Sequence, residues 1–423
     1  YRAVLPYFRR AENWQGADDP PYRGNSGPLH VKFGDNAGNT ELYDAFIAAG
    51  DEAGYGKTDD YNAKRQEGFG RMAMTVFHDG PNRGMRCSAS AAYLHPAMEE
   101  HGDKLMVKTG VLSKRILFDN TNKSVDPVAV GVEFADDTGA IHRVMAENEV
   151  VVCAGSIQTP QLLQVSGIGE SKHLHSIGVE QIYENECVGR NLQDHLELYF
   201  QQEVKKPISI APIITSRLEQ LKLGLQWIFT REGMGATNHF EAAAFVRSSP
   251  EKSYPDVQFH FLPVGLSYDG VTLANSKSGH SMQIHIGTCR SKSRGYIKAR
   301  SQHMQDAPTI KFNYMSHEED WVDMRNAIEV ARRVMLQPSM ADIAGDEILP
   351  GADANIDDYI RDHVESAYHP CGTCKMGSSP EEDGAVVDTK GRVFGVRGLR
   401  IADASIFPAI TNGNLNAPVI MVA

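Results

Sequence analysis

From Glu149 the chain runs Glu-Val-Val-Val-Cys, breaks at Ala154-Gly155, passes Thr159-Pro160 and enters an apolar helical pattern at Leu162, Leu163 and Val165 that stops at Gly167 and Gly169. No other stretch limits the fold as much. A short, continuously apolar run bounded by turn residues reads as a strand buried on both faces. A glycine turn then leads straight into a helix, so the first backbone N–H groups of that helix are left without internal partners and favour an anion. Strand, glycine turn and helix in this order is the local pattern of a nucleotide-binding α/β domain.

The rest of the chain fits a mixed architecture. A helix is expected over 1–12, strands over 105–112 and 128–134, and an amphipathic helix over 317–336 with Trp321, Met324, Ile328, Ala331 and Met335 on one side. From about 196 to 300 the texture changes to short alternating segments, 256–262 and 283–287, which read as strands with one wet face. After Tyr368 the chain becomes glycine-rich and strand-like again over 393–398 and 399–402. This predicts a cofactor domain assembled from separated segments and a mostly antiparallel substrate domain between them.

Composition narrows the function class. At 423 residues, two domains are the prior. The 42 Lys+Arg against 54 Asp+Glu leave a net charge of −12, with no Lys/Arg run, which argues against a nucleic-acid partner. No apolar stretch approaches a membrane span, and the opening residues carry no leader pattern. Six cysteines are too few for a disulfide scaffold and point to a reducing compartment, cytoplasmic or peripheral on the inner face of a membrane rather than secreted. The chain opens at Tyr1 in a helical pattern and stops at Ala423 after an apolar run, so it reads as an internal fragment of a longer chain.

Several candidates for chemistry stand against plainer readings. Gly68-Phe-Gly-Arg-Met-Ala73 fits G-x-G-x-x-A literally, but no hydrophobic strand precedes it, so it lacks the context of a dinucleotide loop. Cys371-Gly-Thr-Cys374 has redox or zinc spacing, yet the other cysteines are isolated and the surrounding Pro and Gly suggest a tight loop of small packed residues. A thiol- or metal-binding protein built on Cys371 and Cys374 is the alternative of a different class. His369 stands out because Pro370 fixes its backbone, and Asn412-Gly-Asn-Leu-Asn416 is an amide-dense turn between apolar runs.

Five ordered blocks carry a resemblance that covers essentially the whole chain. They are Arg86-Cys-Ser-Ala-Ser-Ala-Ala-Tyr-Leu94, the 155–169 run, Gly189-Arg-Asn-Leu-Gln-Asp-His195, Tyr368-His-Pro-Cys-Gly-Thr-Cys-Lys-Met-Gly377 and Leu399-Arg-Ile-Ala-Asp-Ala-Ser405. Together they resemble the glucose–methanol–choline (GMC) oxidoreductases. Within that family, Asn238-His-Phe-Glu241, Phe312-Asn-Tyr-Met-Ser-His317 and the Cys-Gly-Thr-Cys loop look most like its choline-oxidising members.

The resemblance implies an α/β chain, α+β overall. It would have a discontinuous, truncated FAD-binding Rossmann-like domain (85–200 and 370–423) and an antiparallel-sheet substrate domain with helices and connecting segments (1–84 and 201–369). The family's opening strand–GxGxxG–helix is missing, so the chain as written is expected not to hold FAD alone, while a longer parent would. The implied reaction is oxidation of a primary alcohol by hydride transfer to flavin, choline to betaine aldehyde. Another aliphatic or aromatic alcohol is the alternative within the family. His369 would be the base, and Asn414, where many members carry a second His, would orient the substrate oxygen. FAD contacts fall on Val111, Ala154, Gly155, Asp403, Ala404, Leu415 and Asn416. A quaternary ammonium needs aromatic faces and a carboxylate at a distance, for which Tyr368, Phe240, Glu241, Trp227 and His260 are the candidates. No metal is expected. The electron acceptor is oxygen or a quinone chain, and peripheral membrane association goes with the resemblance.

Overall fold

The computed structural model describes residues 1–16, 21–34, 40–122 and 124–423. The chain divides into two compact units, each made of three segments. The first comprises Tyr1–Leu105, Leu196–Cys289 and Glu319–Glu365. The second comprises Met106–His195, Arg290–Glu318 and Ser366–Ala423.

The first unit is organised by an antiparallel sheet. Its main path orders Ala344–Leu349, Leu196–Val204, Ser281–Thr288, Val257–Leu262, Ala242–Val246 and Gly68–Arg71. The G-x-G-x-x-A match therefore lies on an edge strand, paired Gly70 to Ala243, and not on a phosphate loop. The helix Glu41–Glu52 buries Leu42, Tyr43, Phe46 and Ala49. Phe46 stacks on Phe261 with ring centroids 4.6 Å apart, and Tyr43 meets the same ring edge-on at 5.9 Å. Gly50 allows this close approach, since a Cβ there would lie 2.1 Å from the Phe69 ring. The amphipathic helix forms over Glu318–Met335 and buries Met324, Ile328, Ala331 and Met335 as its spacing predicts. At the start of the chain the expected helix is shorter, Leu5–Ala11.

Two strands of this sheet differ from expectation. Val257–Leu262 and Ser281–Thr288 have no wet face, being buried almost throughout. The polar positions of Ser281–Thr288 bond to other buried groups. Gln283 Oε1 accepts from Gln201 Nε2 at 2.7 Å and from the Leu266 N–H at 2.8 Å. His285 Nδ1 lies 2.6 Å from Glu197 Oε1. Alternation marks polarity, and a buried polar network produces the same pattern as a wet face.

The second unit contains the strand–turn–helix. Val150–Val152 pairs in parallel with Leu399–Ile401, and the helix Gly155–Val165 follows. Leu163, Ile168, Val387, Leu399 and Ile401 pack with Val150 and Val152 in one core. The strand is not buried on both faces as its apolar run suggests, because Val151 is 46% exposed. Antiparallel strands Leu112–Asp119, Val128–Ala135 and Ile141–Met145 form a second sheet. The run 105–111 is not a strand, and pairing begins only at Leu112, opposite Ala135. Apolar β-branched residues become a strand only where a ladder partner exists, and among the described residues 105–111 find none. Likewise 393–398 forms turns and isolated bridges, and the strand starts at Leu399. No helix among the described residues is long and apolar enough to cross a membrane.

Phe261 is fully buried between two aromatic neighbours, so Phe261→Ala should cost about 3–5 kcal/mol. The measurement is the denaturant midpoint, expected to fall with the slope of the transition unchanged.

Candidate active site

His369 sits in the second unit in a loop whose geometry is fixed from behind. The backbone N–H of His369 donates to Asp194 Oδ1 at 3.0 Å. Asp194 Oδ2 also accepts from the Ser366 hydroxyl at 2.5 Å and the Tyr314 hydroxyl at 2.7 Å. Burial pushes the Asp194 carboxyl above its ordinary range, against the pull of these donors. Tyr368 adopts φ +62°, a left-handed conformation uncommon for a bulky residue, and is 84% exposed. That turn sends the Tyr368 ring into solvent and the His369 ring inward.

Four groups then form a line. Thr411 O lies 3.0 Å from His195 Nε2, and His195 Nδ1 lies 3.0 Å from His369 Nδ1. His369 Nε2 lies 3.1 Å from the Asn414 side-chain nitrogen. A carbonyl oxygen can only accept, so His195 Nε2 carries a hydrogen. With both rings neutral, His195 Nδ1 is then an acceptor and His369 Nδ1 must donate to it. His369 Nε2 is left with its lone pair, facing the Asn414 amide. The line thus presents one basic nitrogen beside one hydrogen-bond donor, the pair needed to bind a hydroxyl and remove its proton.

The Asn412–Asn416 loop is held in place by Gln193. Its Oε1 accepts from Ile410 N at 3.2 Å and its Nε2 donates to Pro408 O at 3.3 Å. Gly413 takes φ +102°, which turns the loop. Leu415 is buried with Cys371, Phe407 and Ile410, so only its backbone is available to a ligand, while Asn416 is exposed at the start of the helix Asn416–Val422. Cys371 and Cys374 are free, buried thiols. Burial raises both, Cys371 to about 12 and Cys374 well above the ordinary thiol value. The loop between them is a structural seam: Cys371 exchanges backbone hydrogen bonds with Gln193, and the Thr373 hydroxyl donates to Ser156 O at 2.6 Å.

At the helix start, Asp403 Oδ2 accepts from Gly155 N at 3.0 Å and from the Thr159 hydroxyl at 2.6 Å, while Oδ1 accepts from Ser405 N at 2.8 Å. Ala154 precedes the helix as its cap, and Ala404 follows Asp403 at the start of a short 3₁₀ turn. Gly155 has φ +78° and open space where a Cβ would stand. Ser156 Oγ, in the first turn, is buried without a hydrogen-bond partner. An open glycine and an unsatisfied hydroxyl at a helix start fit a dinucleotide. Val111 lies just before the strand Leu112–Asp119.

The remaining predicted residues lie in the first unit. Phe240 meets His285 edge-on at 5.1 Å and His260 at 6.1 Å. Tyr199 stacks on Tyr268 at 4.2 Å and packs on His285 at 4.4 Å. Glu197 pairs with His285, and Glu365 accepts from the Tyr199 hydroxyl, its carboxyl raised mainly by burial. Glu241 points elsewhere: it is fully buried against Gly34, whose Cβ would lie 2.3 Å from Glu241 Cγ. Trp227 donates to Gly84 O at 3.2 Å and has the Arg231 guanidinium 4.1 Å over its ring, so a cation of the chain already occupies that face. The residues not singled out in the sequence are Asp194, His195, Glu197, Tyr199, Tyr268, His285 and Glu365. Glu197 and Tyr199, two apart on one strand, break its apolar run and could have marked that face.

Comparison with known proteins supplies the family. Residues 1–197 and 291–423 match the N- and C-terminal family models described as GMC oxidoreductase. The chain is 46% identical to proteins named oxygen-dependent choline dehydrogenase from Brucella ovis and Vibrio vulnificus, and 45% identical to the one from Rhizobium rhizogenes. Each alignment spans 100% of this chain and 73% of the relative. Among solved structures it is similar to pyridoxine 4-oxidase from Mesorbium loti, at 26% identity and TM-score 0.82 over 100% of this chain and 75% of that one. A formate oxidase from Aspergillus oryzae shares the fold, at 21% identity and TM-score 0.88 over 100% of this chain and 76% of that one. Identity of this extent over the whole chain, joined to a histidine–asparagine pair and an open dinucleotide-type turn, places the chain in the GMC oxidoreductases, as an FAD-dependent enzyme that oxidises alcohols.

Proposed function

We propose that this chain oxidises choline to betaine aldehyde, with His369 as the base. The reading is carried by the line Thr411–His195–His369–Asn414, which leaves His369 Nε2 unprotonated beside an amide donor. The Asn414 amide donates to the substrate oxygen and holds it, and His369 Nε2 takes the hydroxyl proton. An amide cannot accept that proton, so His369 acts alone. The resulting imidazolium keeps its Nδ1–H on His195, and the buried Asp194 carboxylate, bonded to the His369 backbone, anchors it. FAD, when bound, supplies the two-electron acceptor for the hydride leaving the alcohol carbon. The residues we assign to hold it are Val111, Ala154, Gly155, Ala404, Asn416 and the Leu415 backbone. Asp403 acts by fixing the helix start.

For the ammonium end we propose Phe240, His260 and the Tyr199–Tyr268 pair as aromatic walls, with Glu365 and Glu197 as the carboxylates. Tyr368, exposed beside the base, is a further wall. Glu241 and Trp227 are less suited, one sealed in the core and the other facing Arg231. The same proposal makes 85–200 with 370–423 the cofactor domain and 1–84 with 201–369 the substrate domain. It takes oxygen as electron acceptor, after the oxygen-dependent relatives. It places the protein in the cytoplasm or on the inner face of a membrane, a location that six free cysteines favour.

In the flavin-loaded holoenzyme, His369→Ala should lower turnover about 10²–10⁴-fold, and a loss below about threefold would remove His369 from the role. Glu365→Gln should raise KM for choline about tenfold, the scale of one charge contact, and leave KM for benzyl alcohol unchanged. Burial raises the Glu365 carboxyl, so it takes up its proton at a higher pH than an ordinary glutamate, and KM for choline should climb early on acidification. If benzyl alcohol or a short alkanol outperforms choline, the ammonium assignment fails and the other-alcohol reading takes its place. Because burial keeps Cys371 and Cys374 protonated, native protein exposed to iodoacetamide at pH 8 should show neither thiol alkylated by mass spectrometry. Replacing both with Ser should leave most activity, whereas a thiol- or metal-based function would be abolished.

A further inference from the structure

Away from the groups assigned to the reaction, the first unit brings two histidines and a carboxylate together. Strands Leu29–Phe33 and Ala73–Met74 pair antiparallel, with Lys32 opposite Met74. His30 stands on the first, and His78 and Asp79 follow the second. The two imidazole centroids are 4.5 Å apart. Both rings turn Nδ1 toward Asp79: His30 Nδ1 is 3.6 Å from Oδ1 and His78 Nδ1 is 3.5 Å from Oδ2.

Those separations are too long for good hydrogen bonds. The three candidate ligand atoms all lie within 4.8 Å of one another, close to the spacing of groups that share an ion at the about 2.0–2.1 Å of a zinc–nitrogen or zinc–carboxylate bond. Two further observations point to a cation. His30 Nδ1 is buried and has no hydrogen-bond partner. His78 Nε2 lies 3.0 Å from Asn13 O, which can only accept, so Nε2 carries the hydrogen and the Nδ1 lone pair faces the cluster. A backbone carbonyl holding the far nitrogen is the support that metal-bound imidazoles receive. The Asn13 side-chain amide stands 3.4 Å from His30 Nε2 and, in its other orientation, can do the same for that ring. The nearby Arg83 is paired with Glu232. Asp79 is exposed and leaves one side open to a water as fourth ligand.

We propose that His30, His78 and Asp79 bind one divalent transition metal, zinc in preference to magnesium or calcium, through His30 Nδ1, His78 Nδ1 and a carboxylate oxygen of Asp79. Two imidazoles with one carboxylate suit zinc, whereas the hard cations require oxygen ligands. A bound ion would tie the His30 strand to the loop at 77–79.

The test is calorimetric titration of chelator-treated, tag-free holoenzyme with Zn²⁺ at pH 7.5. One zinc per chain is expected. His30→Ala and His78→Ala should each bind at least about 10²-fold more weakly, since even outer partners of a metal ligand are worth 10–100-fold. Flavin absorbance, unchanged across the set, certifies folding. Binding should also weaken at pH 5.5, as the imidazoles must lose their protons to ligate. Should either variant fail to load flavin, Co²⁺ added to the wild-type enzyme serves instead, and tetrahedral ligand-field bands in the difference spectrum are expected. Absence of zinc uptake, variants that bind as tightly as wild type, or a cobalt adduct lacking those bands would each overturn the site.

Discussion

Asp194 is almost wholly buried, and a carboxylate in that position is stable only if donors replace the water it has lost. Four do so: the hydroxyls of Ser366 and Tyr314 and the backbone N–H groups of His369 and His195. This single charge therefore fastens three separated stretches, 194–195, 314 and 366–369, around one point. The ring positions of both histidines follow from it, because each is attached to a backbone the carboxylate has already fixed. Loss of one donor would leave the charge under-satisfied and loosen every group mounted on it.

The first unit solves a related problem with a different device. Glutamine, histidine and glutamate side chains of the strands Leu196–Val204 and Ser281–Thr288 bond to one another, so polar groups lie deep in a sheet. Aromatic rings close over them: Tyr199 on Tyr268, and Phe240 against His285. Acid groups flanked by aromatic faces are a surface that a large, weakly hydrated cation prefers to bulk solvent. In the second unit the Asp403 cap serves the same end, spending a buried carboxylate to hold the helix start while its neighbour Gly155 stays open.

Much of this was legible in the sequence wherever structure is local. The helix Glu318–Met335 and the strand and helix spanning 150–165 follow from periodicity and turn residues alone. His369 was singled out by its own short block and by family resemblance. What could not be read was which distant residue touches it. His195 lies 174 positions away, and nothing in the local pattern of either segment states that their rings meet. The strand errors have one origin: whether Val151 is covered, whether 105–111 is paired, and whether the polar side of 256–262 is buried are all decided by neighbours remote in the chain. Glu241 adjoins Phe240 in sequence, yet its burial in the core is likewise set by remote neighbours.

Thr411 contributes only its carbonyl oxygen to the line that runs through His195 and His369 to Asn414. A main-chain oxygen has no ionisation of its own, so it remains an acceptor at any acidity. Nor is it encoded by the identity of residue 411, whose side chain is irrelevant to that bond. The requirement falls instead on chain length and path between Pro408 and Asn414. A one-residue insertion or deletion there would carry the oxygen out of reach of the His195 ring although every side chain of the line were kept.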